Sequence, residues 1–224
     1  MRSFSTATIK YWLKKPQTAV KIEVLDKTGA VVRTFDSATA GGRGGQAPAG
    51  GGGGGGGRGG FGGGAVAPPT GAGLNSVSWD LRYPAATTFP NMILWGANTT
   101  GPVAAPGAYQ VRLTANGQTQ TQSFRVRRNP LHKDVSDADL QAQFDLAIQI
   151  RDKTSEANNA VVQSRRVKDE VKDRLSKSSD ERLKSAGDRL MSSLNDVEGE
   201  IYQVRNESGQ DPLNFPIKIN NRLA

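Results

Sequence analysis

"GAYQVRLTANGQTQTQSFRV", Gly107 to Val126, is the stretch from which the fold is read. Asn116-Gly117 is the pair preferred in two-residue type I′ turns, whose central positions both need positive φ. Folded there, the stretch sets Tyr109 opposite Phe124 and puts Val111 and Leu113 on one face with Val126. Gln120 and Gln122 fall on that face too, which weakens the alternation that pins a register.

The same period of two extends towards the N-terminus. Val20, Ile22 and Val24 alternate with Lys21 and Glu23, and "DKTG" (26–29) supplies a turn before a return strand through Val32. "TIKYWLKKP" is an opening strand closed by Pro16, and "GLNSVSWDLRY" places Val77, Trp79 and Leu81 together. Short strands separated by Gly and Pro turns predict an immunoglobulin-like β-sandwich over 1–130.

Past Pro130 the period changes. Ser136, three residues before Asp139, is a candidate N-cap, and the following run to Lys177 holds neither Gly nor Pro. Leu140, Phe144 and Ala147/Ile148 form its first apolar stripe; Val167, Val171 and Leu175 form its last. Arg151, Thr154 and Asn158 interrupt the seam between them, so this helix is expected to be only partly sealed. Downstream, Leu183, Leu190, Leu194, Val197, Ile201 and Val204 follow heptad spacing. Two helices joined near Ser176–Ser179 predict an antiparallel, coiled-coil-like helical hairpin over 131–208, with an extended tail over 209–224. The fold class is therefore all-β followed by all-α.

Residues 41–73 read as a Gly-rich flexible insertion in the sandwich. Seventeen of the 27 glycines lie in Gly41–Gly64, between strand patterns on both sides. Glycine-rich chain has nothing to bury and high conformational entropy, so the tract reads as a spacer. As an RNA-binding segment it offers only Arg43, Arg58 and Phe61, where phosphate contact and base stacking need such residues repeated.

The net charge of +8 is uneven: residues 1–130 carry 14 Lys/Arg against 4 Asp/Glu, and 131–224 carry 15 against 17. The basic half suits phosphates or an acidic surface, although Lys and Arg alternating outward along strands explain it as well. With no cysteine and one histidine, His132 at the junction, neither a thiolate site nor a multi-histidine metal site can be assembled. There is no GxSxG, Walker A or EF-hand loop, and the GxGxxG inside the glycine run carries no weight. No apolar run is long enough to span a membrane, and "MRSFSTATIKYWLKK" reads as a strand rather than a signal peptide. No catalytic, cofactor-binding or metal-binding residues are assigned, and no cofactor is expected. Asp80, beside Trp79, Arg82 and Tyr83, is the one weak candidate acid; a carboxylate closing the strand on a nearby amide is its plainer role. Tyr83, Phe89, Met92 and Trp95, in a Pro-broken loop, form a possible contact surface for a protein or a sugar ring. Packing at the sandwich end or on the helices would serve equally.

The segments "IKYWLKKPQTAVKIEVLDKTGAVVRTF", "GLNSVSWDLRYP", "FPNMILWGANTTGPVAAPGAYQVRLTANGQTQTQSFRVRRNP" and "DLQAQFDLAIQIRDKTSEANNAV", in that order, resemble a known arrangement. They are similar to the C-terminal region of large exported bacterial proteins built on a sortilin-like or BNR-repeat β-propeller, often labelled glycosyl hydrolases. "PGAYQVRL" is also similar to the Ig-like module of flagellar hook-capping proteins. The resemblance implies an exported bacterial protein, periplasmic or extracellular, and a role as a non-enzymatic accessory module contacting a protein partner or its parent propeller. It also leaves open a piece of a glycosyl hydrolase-type protein without its catalytic propeller, since the Asp-box repeats are absent. On this likeness the chain is expected to be a fragment or shortened product of a larger design. Carbohydrate is a possible ligand, and RNA binding through the basic half is the least favoured reading.

Lengthening a loop costs only about (3/2)RT ln n, so deleting residues 42–64 is expected to move the thermal midpoint by no more than a few degrees. A fall of many degrees in a calorimetric melt would contradict the spacer reading.

Overall fold

The computed structural model describes residues 6–40, 67–131 and 133–224. His132 and most of the glycine-rich insertion, with Arg43, Arg58 and Phe61, lie outside the described residues. The chain divides into two compact units, Met1–Tyr83 with Val103–Gln141, and Pro84–Pro102 with Ala142–Ala224.

Among the described residues, the first unit holds six strands: β1 (Ala7–Leu13), β2 (Val20–Leu25), β3 (Val31–Asp36), β4 (Gly73–Trp79), β5 (Gly107–Ala115) and β6 (Gln118–Val126). A four-residue helix, α1 (Ser37–Ala40), follows β3. The strands form two antiparallel sheets, β1-β4 and β3-β2-β5-β6. The β5–β6 turn has Asn116 at φ +50° and Gly117 at φ +72°, and its register sets Tyr109 opposite Phe124 and Leu113 opposite Gln120, as the turn chemistry predicts. The β2–β3 turn is held by Asp26, whose Oδ1 accepts from the amides of Thr28 at 2.8 Å and Ala30 at 3.0 Å, while Gly29 takes φ +85°. Burial raises the Asp26 pKa, but the hydrogen bonds from Thr28 and Ala30 outweigh it and leave the carboxyl below its usual range.

Both sheets contribute to one buried cluster. Tyr11 and Leu13 of β1, Val77 and Trp79 of β4, and Val20, Ile22 and Val24 of β2 belong to it. Fully enclosed Trp79 lies 5.8 Å from Tyr109 and 6.3 Å from Phe124, centre to centre, the latter edge-on at 86°. Such tilted and edge-to-face aromatic contacts add about 0.5–1.5 kcal/mol each beyond area burial. The last residues of the expected flexible insertion are anchored here: Pro68 is fully buried, Tyr11 Oη donates to the Pro69 carbonyl, and Gln17 N donates to Thr70 O at 2.9 Å. Burial raises the Tyr11 pKa, keeping the phenol a donor.

The second unit is built on α2 (Asp137–Ser176), from Ala142 onward, and on α3 (Glu181–Ile201). At the start of α2, Ser136 and Asp139 cap each other: Asp139 N donates to Ser136 Oγ at 3.1 Å, and Ser136 N donates to Asp139 Oδ2 at 2.9 Å. At the start of α3, Asp180 Oδ1 accepts from Arg182 N at 2.8 Å. Contacts between the two helices run in opposite chain directions. Leu175 meets Gly187, Ser164 Oγ donates to Leu194 O at 3.3 Å, and Arg165 reaches Glu198. A Cβ on Gly187 would come within 2.7 Å of Leu175 Cδ1, so the glycine sets how closely the helices approach. The expected heptad seam divides: Leu194 and Ile201 lie on the packed side, whereas Leu183, Leu190 and Val197 are 43%, 44% and 52% exposed and Gly187 and Glu198 are buried.

Two further expectations are corrected in this unit. Residues 84–102 were expected in the sandwich domain, yet they group with the helices, because α2 holds their backbone. Asn158 Nδ2 donates to Thr87 O at 2.7 Å, Thr87 N donates to Ser155 Oγ at 3.0 Å, and Arg151 Nη1 donates to Pro84 O at 3.2 Å. Thr154 and Asn158 are buried, so the polar interruptions do not leave the helix half-open. The tail 209–224 is not extended. A 3₁₀ turn, Asp211–Leu213, forms under an Asp211 carboxylate that accepts from Glu207 N and Ser208 N, both at 2.7 Å. A last short helix, α4 (Ile219–Leu223), brings Asn220 Nδ2 within 3.0 Å of Asn158 Oδ1.

Asn158→Leu strands the Thr87 carbonyl and the Asn220 amide, so it should destabilise the protein by about 1–3 kcal/mol. Asn159→Leu, one residue on and exposed, should cost less than about 0.5 kcal/mol. Equal denaturant midpoints for the two variants would refute the docking role.

Candidate functional site

Of the candidate contact residues, Tyr83 belongs to the first unit and Phe89, Met92 and Trp95 to the second. Tyr83 packs, half-buried, against the core of the β unit. Phe89 is 7% exposed and stacks edge-on at 5.0 Å against Tyr202, and Met92 packs beside them. Of the four, Trp95 is the exposed one, at 41%, with its backbone clamped by Asn221: Trp95 N donates to Asn221 Oδ1 at 2.6 Å, and Asn221 Nδ2 returns a bond to Trp95 O at 3.1 Å. Asp80 is exposed and its Oδ1 accepts from Arg82 N at 3.2 Å, closing the end of β4. Beside it Leu81 adopts φ +58°, an uncommon value for a residue with a γ-branch, and Trp79 Nε1 donates to Arg82 O at 3.0 Å. In that turn the Asp80 carboxylate faces the chain's own amide.

Two carboxylates that the sequence did not single out are buried, and each is paired with two cations. Glu23, in β2, lies directly across from Arg112 on β5, which donates to it at 2.8 Å, and Lys21 lies 2.7 Å from its other oxygen. The hydrogen bonds from Arg112 and then Lys21 hold its carboxyl below the usual range. Glu198, buried in α3, accepts from Arg165 Nε at 2.7 Å and from Lys168 Nζ. Burial pushes the Glu198 pKa up, and the bonds from Lys168 and Arg165 overcome it, so the carboxyl sits low. Arg165 also lies 4.7 Å over the Phe89 ring and 5.5 Å over Tyr202. Both carboxylates therefore carry charge at neutral pH and serve as struts. For Glu23 the sequence signal was a lone acid in an apolar strand beside Lys21; for Glu198, whose cations lie 33 and 30 residues away, there was none.

The exposed apolar surface of the β unit lies elsewhere. In β1, Tyr11 and Leu13 turn inward, which sends Trp12 to the outer face. Its registered partner on β4 is Leu74; the two are 67% and 66% exposed. Lys10, Lys14 and Lys15 are exposed around them. The alternation Tyr11-Trp12-Leu13 already contained this signal. The basic half is partly absorbed by structure: Lys21 and Arg112 serve Glu23, Arg33 lies 5.7 Å over Phe35, and Arg128 lies 3.8 Å from Asp137.

Among the described residues, no three His, Cys, Asp or Glu side chains converge as metal ligands, and no helix is long and apolar enough to cross a membrane. Comparison with protein-family models, curated proteins and solved structures finds no significant match to this chain.

Because the folded-state pKa of Glu198 is depressed, its contribution to stability is present above the unfolded value and is lost as pH falls through the folded one. Stability should therefore decline on acidification below about pH 4.3, the ordinary glutamate value. Glu198→Gln should cost about 1–3 kcal/mol at neutral pH and flatten that part of the profile. Parallel profiles for the two proteins, from denaturant melts across pH, would contradict this.

Proposed function

We propose that the chain is a non-enzymatic interaction module. In this reading its β unit is an Ig-like sandwich, its helices are a helical hairpin, and its partner is a sortilin-like or BNR-repeat β-propeller of the exported bacterial type that the sequence resembles. The observation that carries the reading is the paired exposure of Trp12 and Leu74 on the outer face of β1-β4, ringed by Lys10, Lys14 and Lys15. Aromatic anchors are enriched in the buried centres of protein interfaces, and an exposed apolar pair within a cationic rim suits an acidic protein surface. The two sheets on one core support the sandwich assignment, and the opposed contacts of α2 and α3 support the hairpin.

The test is titration of the purified chain with a purified BNR-repeat propeller from the same genome, followed by calorimetry. The Trp12→Ser, Leu74→Ser double variant, with an unchanged melt, should bind at least about tenfold more weakly. Undiminished binding by that variant would overturn the assigned surface. Binding to anionic vesicles in place of the propeller would overturn the assigned partner. Hydrolysis of an aryl glycoside by the purified chain, abolished in Asp80→Asn, would overturn the non-enzymatic reading.

A further inference from the structure

Leu183, Leu190 and Val197 are spaced seven residues apart on α3. Seven residues turn an α-helix by ~700°, within about 20° of two full turns, so the three form a single, slowly drifting stripe. Each is close to half exposed, while α3 meets α2 through Gly187, Leu194 and Glu198. The helix therefore has two apolar tracks, and α2 occupies only one. A strict seven-residue repeat is the pattern a helix needs to keep a long contact with another helix in register. Ala186 and Ser193, small and exposed, lie between successive stripe positions and leave room for close approach.

The charges beside the stripe select the partner and its direction. Arg182 and Arg189 stand in the N-terminal half of α3; Asp196 and Glu200 stand in the C-terminal half. A parallel second copy would set Arg182 and Arg189 towards Gly187 and Leu194 of the other chain, with no acid opposite either. An antiparallel copy, with Leu190 of each chain over Val197 of the other, sets Arg189 beside Asp196 twice, once on each side of the two-fold axis. Such self-complementarity is the mark of an isologous two-fold interface.

We propose that α3 is a self-association element: a second copy of this chain packs antiparallel along Leu183, Leu190 and Val197, with Arg189 of each copy beside Asp196 of the other. The site is independent of the Trp12 surface, and its failure would leave that reading untouched.

The test is sedimentation equilibrium of the full chain over the micromolar range at low and high salt. A monomer–dimer equilibrium weakened by salt is expected. Arg189→Asp alone and Asp196→Arg alone should each raise the dimer dissociation constant by at least about tenfold, and the double swap R189D/D196R should restore it. Leu190→Glu should abolish the dimer while the circular dichroism melt shows a folded chain. A wild-type chain that stays monomeric at every concentration would overturn the proposal. So would a dimer that Leu190→Glu leaves intact, or one that the double swap fails to rescue.

Discussion

The backbone of residues 84–102 is the constraint on which the second unit depends. With Pro84, Pro90 and Pro102 in the segment, its amides and carbonyls have no ladder to join, and burying them unpaired would cost about 1–3 kcal/mol each. Side chains supply the missing partners. Asn158, Ser155 and Arg151 of α2 bind Thr87 and Pro84, and Ile93 N donates to Tyr202 Oη at 3.1 Å. Asn221 grips Trp95, and the chain's last residue accepts from Asn98 N at 3.4 Å. Thus polar groups buried along α2 are there to make a coil segment behave as an element of the fold. Phe89, tucked against Val161 and Tyr202 with Arg165 over its ring, supplies the apolar half of the same docking.

Local chemistry was legible in the sequence, and long-range satisfaction was not. Asn116-Gly117, the alternation of Val20, Ile22 and Val24, and the Ser136–Asp139 pair each act within a few residues, and each is found in the role its chemistry implies. Thr154 and Asn158 look like flaws in an apolar seam when only α2 is considered. Thr154 Oγ1 donates to Ile150 O within the helix, but the partners of Asn158, Thr87 and Asn220, lie 71 and 62 residues from it, and no local pattern points to them. The heptad of α3 is legible only in part: its spacing identifies the apolar residues, but that Leu194 and Ile201 pack while Leu183, Leu190 and Val197 stay about half exposed does not follow from spacing alone. Trp12 is the opposite case, since its outward direction follows from Tyr11 and Leu13 alone.

The two units solve the problem of a buried carboxylate in the same way. Glu23 crosses a strand pair to Arg112 with Lys21 alongside; Glu198 crosses a helix pair to Arg165 with Lys168 alongside. Each acid meets two cations, and each carboxyl is held below its ordinary range. A general acid at neutral pH requires the reverse, a carboxyl raised by burial without compensating charge. Two cations around one carboxylate favour ionisation and fix geometry, and removing the acid leaves two positive groups facing each other. In α3 the Glu198 ion pairs lie on the side turned to α2, with Gly187 and Leu194, while Leu183, Leu190 and Val197 stay about half exposed.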